Sequence, residues 1–315
     1  MKFKEDQRNK FGEYVNRIFY LRLYLFPMSR HPFKLVVSVL WLTFYSFVGF
    51  AQEVEEPGDT PVEWSKPYPP FRIAGNLYYV GTQDLACYLI TTPKGNILIN
   101  TGLASSVGQL KTNIEALGFK FKSLKILLTT QAHYDHMGAM AAVQKITGAK
   151  FMVDQGDREV AEDGGRSDYA IGADKSTYRP VKVDRVLHNG DKITLGGTEL
   201  VMLHHPGHTK GSCSFQFIVK DKKRTYKVLI ANMPTIVTDK KFSELRSYPQ
   251  IAADYAYTIK SMKSLSFDIW LASHASQFKL QAKHKPGAPY NPEAFMDHRG
   301  YNDSLKKLEE QFLKK

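Results

Sequence analysis

The segment Gln-Ala-His-Tyr-Asp-His, residues 131–136, decides the interpretation of this chain, because it places two imidazoles and a carboxylate within four residues. It closely follows the apolar run Leu-Lys-Ile-Leu-Leu at 124–128, whose length is typical of a buried strand. Residues two apart in an extended chain project to the same side, so Gln131 and His133 share a direction while the Asp-His pair begins the next turn. The pattern predicts a cradle for a metal ion at a strand end.

Two further apolar runs lead to a histidine. Residues 200–203 run into His-His-Pro-Gly-His, where Pro-Gly predicts a turn that places His208 at the exit of a strand. Residues 267–274 repeat the arrangement and end in His274. A single histidine after a strand is usually a surface or core residue. Three strand ends that each deliver a ligand favour a metal site instead, because rigid strands aim loop residues at one point.

The segment at 131–136 resembles the H-x-H-x-D-H signature of the metallo-β-lactamase fold superfamily, with glutamine in place of the first histidine. The resemblance extends from about residue 71 to the C-terminus, and it implies an α/β fold, a four-layer αββα sandwich with two zinc sites. The implied ligands are Gln131, His133 and His208 for the first zinc, and Asp135, His136 and His274 for the second. Zinc prefers thiolate, imidazole and carboxylate, so the neutral amide should make the first site the weaker one.

The strand predicted at residues 226–231 indicates the branch of the superfamily. Members that resemble glyoxalase II place a bridging aspartate at its end, and the first two β-lactamase subclasses place a cysteine ligand there. Here the strand is followed by Asn232 and Met233, and a thioether is a weak zinc ligand. The chain therefore resembles the third β-lactamase subclass, and Gln131 with Met233 resembles its glutamine-bearing, GOB-type branch. A flexible apolar wall residue is the alternative interpretation of Met233.

The resemblance implies a secreted zinc-dependent hydrolase that opens the β-lactam amide bond and confers antibiotic resistance. Bound zinc lowers the pKa of water to about 7, so hydroxide forms without a serine or cysteine nucleophile. We expect Asp135 to orient this hydroxide as the catalytic residue, and Thr235, Met233 and a loop over residues 167–178 to contact the substrate. Two alternatives stay open: a lactonase or phosphodiesterase of the same fold, and a noncatalytic zinc-binding protein.

The N-terminus has the composition of an export signal. Residues 28–34 form a short basic lead, residues 35–50 an apolar stretch of sixteen, and Ala51 is a small residue suited to cleavage. The stretch is shorter than the roughly 20 residues that span a bilayer, which favours a cleaved signal over a retained anchor with a basic tail. We expect a periplasmic protein with an upstream extension at 1–27, a signal peptide at 28–51, an N-terminal arm at 52–70 and the metallo-β-lactamase domain at 71–315.

The charge pattern does not favour a nucleic-acid interface. Of the 43 basic and 31 acidic residues behind the net charge of +12, residues 1–51 hold eight and three. The remaining lysines are scattered with little aromatic interleaving, which is typical of a solvated surface. We expect a small-molecule β-lactam substrate, no nucleic-acid partner, no stable membrane association after signal cleavage, and a monomer.

Two cysteines, Cys87 and Cys213, could form one disulfide in an oxidising compartment. Each lies in an apolar run, however, and the two runs belong to different halves of the chain. Buried free cysteine is common, so we favour two unpaired thiols.

Three other segments carry specific expectations. Residues 163–180, rich in Gly, Ser and Asp, predict a long loop that is typical of a functional lid. A C-terminal helix is predicted over 292–313, with Asn291 as its N-cap. His204 is expected to pack in the core, and its neighbour His205 to lie on the surface or beside the ligands.

The export signal predicts cleavage near Ala51. N-terminal sequencing of protein from the periplasmic fraction should begin at or near Gln52, because the small residue ends the apolar stretch there. A mature species in the membrane fraction that still carries residues 35–50 would contradict the cleaved signal.

Overall fold

Two β-sheets pack face to face in the computed structural model, which describes residues 54–172, 174–222 and 224–315. The predicted extension and signal peptide lie outside these residues. The first sheet has seven strands, in the order β1 (Phe71–Ala74), β2 (Leu77–Tyr79), β3 (Tyr88–Thr92), β4 (Gly95–Ile99), β5 (Leu124–Leu128), β6 (Lys150–Asp154) and β7 (Arg185–Leu187). The second has five, in the order β12 (Ile269–Ala272), β11 (Arg224–Ala231), β10 (Cys213–Asp221), β9 (Thr198–His204) and β8 (Lys192–Leu195).

Helices connect the strands and cover the outer faces of the sheets. The α-helices are α1 (Val62–Ser65), α2 (Val107–Ala116), α3 (Tyr134–Met137), α4 (Met140–Thr147), α5 (Arg158–Asp163), α6 (Ile251–Lys263), α7 (Leu280–Lys283) and α8 (His298–Phe312). Short 3-10 helices occur at Ala104–Ser106, Phe121–Ser123, Gln155–Asp157, Phe242–Glu244 and Pro292–Phe295. Within the described ranges, none of these helices combines the length and apolar character needed to cross a bilayer.

Side chains that alternate between the two faces of each sheet produce the layers of the fold. In β4, Ile97 and Ile99 pack into the core shared with the second sheet, whereas Leu98 packs into a second core with Leu110 of α2 and Met140 of α4. This division follows because successive strand residues point to opposite faces. Helices α6 and α8 contribute to the core of the second sheet, so the order is helices, sheet, sheet, helices. The predicted α/β class and αββα sandwich are confirmed.

Several strand ends meet at Thr130, two residues beyond β5. Its N–H donates to Asn100 Oδ1 at 2.9 Å, its carbonyl accepts from Cys213 N at 2.8 Å, and its hydroxyl accepts from Ser273 Oγ at 2.9 Å. All four residues are buried. This Thr130 junction fixes the ends of β4, β5 and β12 and the start of β10 against one another, immediately beside the predicted ligands.

The C-terminal helix begins at His298, so the prediction of a start at Pro292 was wrong. Asp297 is the N-cap, and its Oδ1 accepts from Gly300 N at 2.8 Å. The segment Pro292–Phe295 forms a separate 3-10 turn, and Asn291 makes no side-chain capping bond. Asn and Asp are about equally good N-caps, so the helix start is marked by the capping bond itself, which Asp297 makes and Asn291 does not.

Residues 163–180 were expected to form a lid, but part of this loop belongs to the core. Tyr178 is fully buried and its hydroxyl donates to the carbonyl of Val160 at 2.8 Å. Ser176 and Thr177 are buried as well. That end of the predicted lid therefore packs against α5, since a buried tyrosine hydroxyl needs such an acceptor.

The N-terminal arm, expected as an arm or linker, makes specific contacts. Pro67 pairs with Thr82 in an isolated antiparallel bridge, and Glu56 Oε1 accepts from Ala104 N at 2.8 Å. Tyr68 is buried in the main core.

Cys87 and Cys213 are both buried and free, in agreement with the favoured interpretation.

The buried Asp157 carboxylate should be essential for stability, because it joins two ligand loops. Its oxygens accept from Ala132 N at 2.8 Å, Thr209 Oγ1 at 2.7 Å and Gly211 N at 2.8 Å, and the residue is fully buried. Each buried donor left without a partner costs about 1–3 kcal/mol. Asp157→Ala should therefore lower the free energy of unfolding by at least about 3 kcal/mol. Urea unfolding at fixed free zinc measures this; the exposed-carboxylate control Asp239→Asn should leave the midpoint unchanged, and an unchanged Asp157→Ala midpoint would contradict the prediction.

Candidate metal centre

Asp135, His136 and His274 form a cluster whose ligand atoms all lie within 4.8 Å of one another. Asp135 Oδ2 lies 3.1 Å from His136 Nε2 and 3.2 Å from His274 Nε2. Helix α3, just after β5, carries the first two residues, and His274 follows β12. Within the part of the chain that the structure describes, no other three His, Cys, Asp or Glu side chains meet this closely. The structure thus brings together the residues predicted for the second zinc.

An aspartate that the sequence pattern did not single out orients His274. Asp84 Oδ2 lies 3.1 Å from His274 Nδ1, and Asp84 Oδ1 accepts from Ser276 N at 2.8 Å. Burial alone would raise the pKa of Asp84, but its hydrogen bond to His274 and the charge of that ring outweigh burial and lower the pKa to about 2. The same bond leaves His274 Nε2 facing Asp135.

The surroundings of His274 favour a positive charge. Burial would lower the pKa of this imidazole, but hydrogen bonds to Asp135 and Asp84 outweigh it and raise the pKa to about 9. A metal ion bound at Nε2 supplies a positive charge at the same place.

Trp64, in α1 of the N-terminal arm, also reaches this cluster. Its Nε1 donates to Asp84 Oδ2 at 3.2 Å. The centroid of its ring lies 5.5 Å from that of His274 and 6.2 Å from that of Tyr134. The arm is therefore in direct contact with one of the predicted ligands and with the acceptor that orients it.

His133 and His208, predicted for the first zinc, lie with ring centroids 4.8 Å apart. His208 Nδ1 donates to the carbonyl of Thr235 at 2.7 Å, which leaves Nε2 for a metal. His133 Nε2 lies 3.3 Å from Asp168 Oδ2, which leaves Nδ1. Each ring thus has one nitrogen held by an acceptor and one available, as is usual for metal-binding histidines.

Unpaired buried atoms mark the same region. Gln131 Oε1 and His136 Nδ1 are buried without a hydrogen-bond partner, and His136 Nε2 makes no hydrogen bond although Asp135 Oδ2 lies 3.1 Å away. Buried polar atoms are almost always satisfied, so each such atom calls for an explanation. Imidazoles, a carboxylate and one amide oxygen are donors that zinc accepts, although the amide is the poorest of them. The residues present therefore fit two zinc ions.

Burial keeps His208 neutral. It lowers the pKa of the imidazole to about 3, and the nearby charge of His133 acts in the same direction, against the hydrogen bond to Thr235. Burial also lowers the pKa of His136. A neutral imidazole is the form that binds a metal, so both rings are ready to act as ligands at neutral pH.

Asn232 stands where other branches of the fold carry a bridging aspartate. Its Nδ2 donates to the carbonyl of Thr130 at 3.3 Å and its N–H to Ser214 Oγ at 3.1 Å, so it belongs to the Thr130 junction. Met233 is buried in the main core, whereas Thr235 is exposed, with Oγ1 3.3 Å from His208 Nδ1. Substrate contact by Met233 and Thr235 stays a prediction.

The two adjacent histidines His204 and His205 differ from expectation. His204, expected in the core, is partly exposed and its Nδ1 lies 2.8 Å from Asp154 Oδ2. His205 is fully buried, with Nδ1 2.7 Å from Ser214 Oγ and Nε2 3.3 Å from Ser261 Oγ. The chain turns after β9, so that the second histidine points inward, between the sheet and α6.

Asp84, Asp168 and Trp64 lie at the site without having been predicted there. A ligand histidine usually donates its second ring N–H to an acceptor, so acceptors could be expected as a class. No local pattern marks which carboxylates serve, since Asp84 is far in sequence from His274, and Asp168 from His133.

The chain is similar to several known proteins. Residues 83–220 match the family model for the metallo-β-lactamase superfamily. The class B3 di-zinc metallo-β-lactamase LRA-12 from an Alaskan soil metagenome is 66% identical, with 83% of this chain and 99% of that chain covered and a TM-score of 0.82. The metallo-β-lactamase GOB-18 from Elizabethkingia meningoseptica is 59% identical, with 84% and 98% covered and a TM-score of 0.83.

Curated relatives are more distant and match only in part. A hydroxyacylglutathione hydrolase from Fuscovulum blasticum is 27% identical over 104 residues, which are 33% of this chain and 33% of the relative. The chain thus spans a third of the length of that relative. The similarity to LRA-12 and GOB-18, in contrast, covers nearly the whole of each. The chain therefore belongs to the class B3 metallo-β-lactamases.

Proposed function

We propose that this protein is a zinc-dependent β-lactamase that hydrolyses the β-lactam amide bond and so confers resistance to β-lactam antibiotics. The observation that carries the proposal is the Asp135, His136 and His274 cluster, found in a chain 66% identical to a di-zinc class B3 enzyme over 99% of that chain. The cluster lies at strand ends, where a small molecule can reach residues held by rigid elements.

Zinc, when bound, supplies a nucleophile at neutral pH and positive charge for the departing amide nitrogen. The residues that would hold it are Gln131, His133 and His208 in the first site and Asp135, His136 and His274 in the second. Asp135 has a double role, as ligand and as the acceptor that orients the nucleophile. Its Oδ2 lies within 3.2 Å of both neighbouring imidazoles, so its position is well defined. Such preorganised charge is usually the largest contribution to catalysis.

Thr235 and Met233 are our candidates for substrate contact. Thr235 is exposed, and its carbonyl is fixed by His208 and by the hydroxyl of Tyr255 at 2.8 Å. A hydroxyl held at this point could donate to the substrate carboxylate. Met233 is mostly buried, so it would act as part of an apolar wall. The loop over residues 167–178 would contribute through its exposed part.

Export to the periplasm, a monomeric state and the division of the chain at residues 27, 51 and 70 complete the proposal. The basic lead and the apolar stretch support export. The arm that follows would remain with the mature protein, because Trp64 and Glu56 contact residues of the domain.

A panel of three substrates tests the function. The zinc-loaded protein should hydrolyse nitrocefin, and leave a lactone and bis-p-nitrophenyl phosphate nearly untouched. Asp135→Asn keeps the size of the side chain but removes its charge, so nitrocefin hydrolysis should fall at least about 100-fold. Preference for the lactone or the phosphodiester would establish another hydrolase, and zinc binding with all three substrates intact would establish a noncatalytic protein. Activity of the variant within a few-fold of the parent would remove Asp135 from the mechanism.

Gln131 predicts unequal zinc sites. An amide oxygen binds zinc less strongly than imidazole, so the first site should fill after the second and be partly empty at limiting zinc. Gln131→His should raise the zinc content towards two per chain, whereas His274→Ala should abolish activity by weakening the site that stays filled. Metal analysis after dialysis against graded chelator, with activity followed in parallel, measures both effects.

The matched control is Gln311→His, which adds the same imidazole on exposed helix α8. It should leave zinc content and affinity at the parental values. Two zinc ions of indistinguishable affinity in the parent, held no more tightly in Gln131→His, would show that the glutamine is an equivalent ligand.

A further inference from the structure

We propose that Asp168 is a positioning residue for the first zinc site, and that its carboxylate supplies the negative charge which the ligands of that site lack. The inference rests on the proposed function, since it concerns the same two metal ions. It assigns a role to the loop after α5, of which only a general lid function was expected.

The contact between Asp168 and His133 is buried, and both oxygens of the Asp168 carboxylate have partners. Asp168 Oδ2 lies 3.3 Å from His133 Nε2, and the two side chains are 2% and 5% exposed. The other oxygen, Oδ1, accepts from Ala170 N at 2.9 Å and Ile171 N at 2.8 Å. The carboxylate is therefore held by the backbone of its own loop, and His133 can turn only its Nδ1 towards a metal.

The two predicted ligand sets differ in charge. Asp135 gives the second set one negative charge, whereas a glutamine and two neutral imidazoles give the first set none. A carboxylate that accepts a hydrogen bond from a ligand imidazole makes that imidazole a stronger donor to the metal. The Asp168 carboxylate accepts from His133 in this way, so it restores part of the zinc affinity that the first site loses through Gln131.

The same loop also supports the other histidine of the first site. The hydroxyl of Tyr169 donates to the carbonyl of Gly207 at 3.0 Å, next to His208 in the chain. Gly207 has a φ of 133° and lies against the ring of Tyr255, where a Cβ would come within 2.9 Å of that ring. The backbone next to His208 is thus fixed from two sides, and residues 168 and 169 contact His133 itself and the residue before His208.

Asp84 provides a matched control, because it bears the same relation to His274 of the second site. Asp168→Asn and Asp84→Asn each keep the shape of the side chain and remove its charge. The zinc affinity of each site would be measured by competition with a chromophoric chelator. The coordination of the metal would be followed by the absorption spectrum of the cobalt-substituted protein. Loss of an outer hydrogen-bond partner typically weakens metal binding about 10- to 100-fold.

Asp168→Asn should weaken the first site by about 10- to 100-fold and leave the second at the parental affinity, while Asp84→Asn should do the reverse. Adding Gln131→His to Asp168→Asn should restore binding at the first site without restoring the carboxylate. That rescue would not occur if Asp168 only held the loop together.

Two results would overturn the proposal: parental affinity at both sites in Asp168→Asn, or equal weakening of both sites that Gln131→His does not rescue. Nitrocefin turnover by the parent is read separately. A parent that binds two zinc ions but hydrolyses no β-lactam would defeat the proposed function. The role of Asp168 would then still be decided by the zinc affinities of the two sites.

Discussion

A neutral imidazole binds a metal through one nitrogen and keeps a proton on the other, and that proton needs an acceptor. Three of the four ligand histidines meet this requirement, each with a different acceptor: the carbonyl of Thr235 for His208, Asp84 for His274 and Asp168 for His133, whereas His136 Nδ1 is buried without one. The acceptors come from three separate loops. The fold must therefore hold loops in place as accurately as it holds the ligands themselves.

The Thr130 junction shows how this is done. Because Asn100, Cys213, Ser273 and Asn232 all bind Thr130, strands from both sheets end in one buried network of hydrogen bonds. Asn232 takes part in that network with its side-chain amide. A carboxylate at the same place could not donate to the Thr130 carbonyl, so the residue that distinguishes this branch from the aspartate-bridged hydrolases also stabilises the strand ends.

The sequence predicted the sheets and the second ligand cluster because both depend on local patterns. Apolar runs predict strands, and the residues that follow each run lie near a strand end, as do Asp135 in the helix after β5 and His274 beyond β12. The acceptors Asp84 and Asp168 could not be found in this way, since each is defined by a partner distant in the chain. Helix α6 was not predicted, although Ile251, Tyr255 and Met262 follow a helical period. Alternation along β9 places His204 in phase with the buried Leu200 and Met202, but the strand ends at His204 and the chain turns there, so the ring of His205 is the buried one.

The contact of Trp64 with the second cluster has an optical consequence. Trp64 and Trp270 are the tryptophans among the described residues; Trp270 lies buried in the core, while the indole of Trp64 is partly exposed, 5.5 Å from the ring of His274. Indole emission responds to polarity and to nearby charge, so a metal ion bound at the second cluster would change the surroundings of Trp64. Trp64 would thus serve as a label-free reporter of metal binding on that side of the centre.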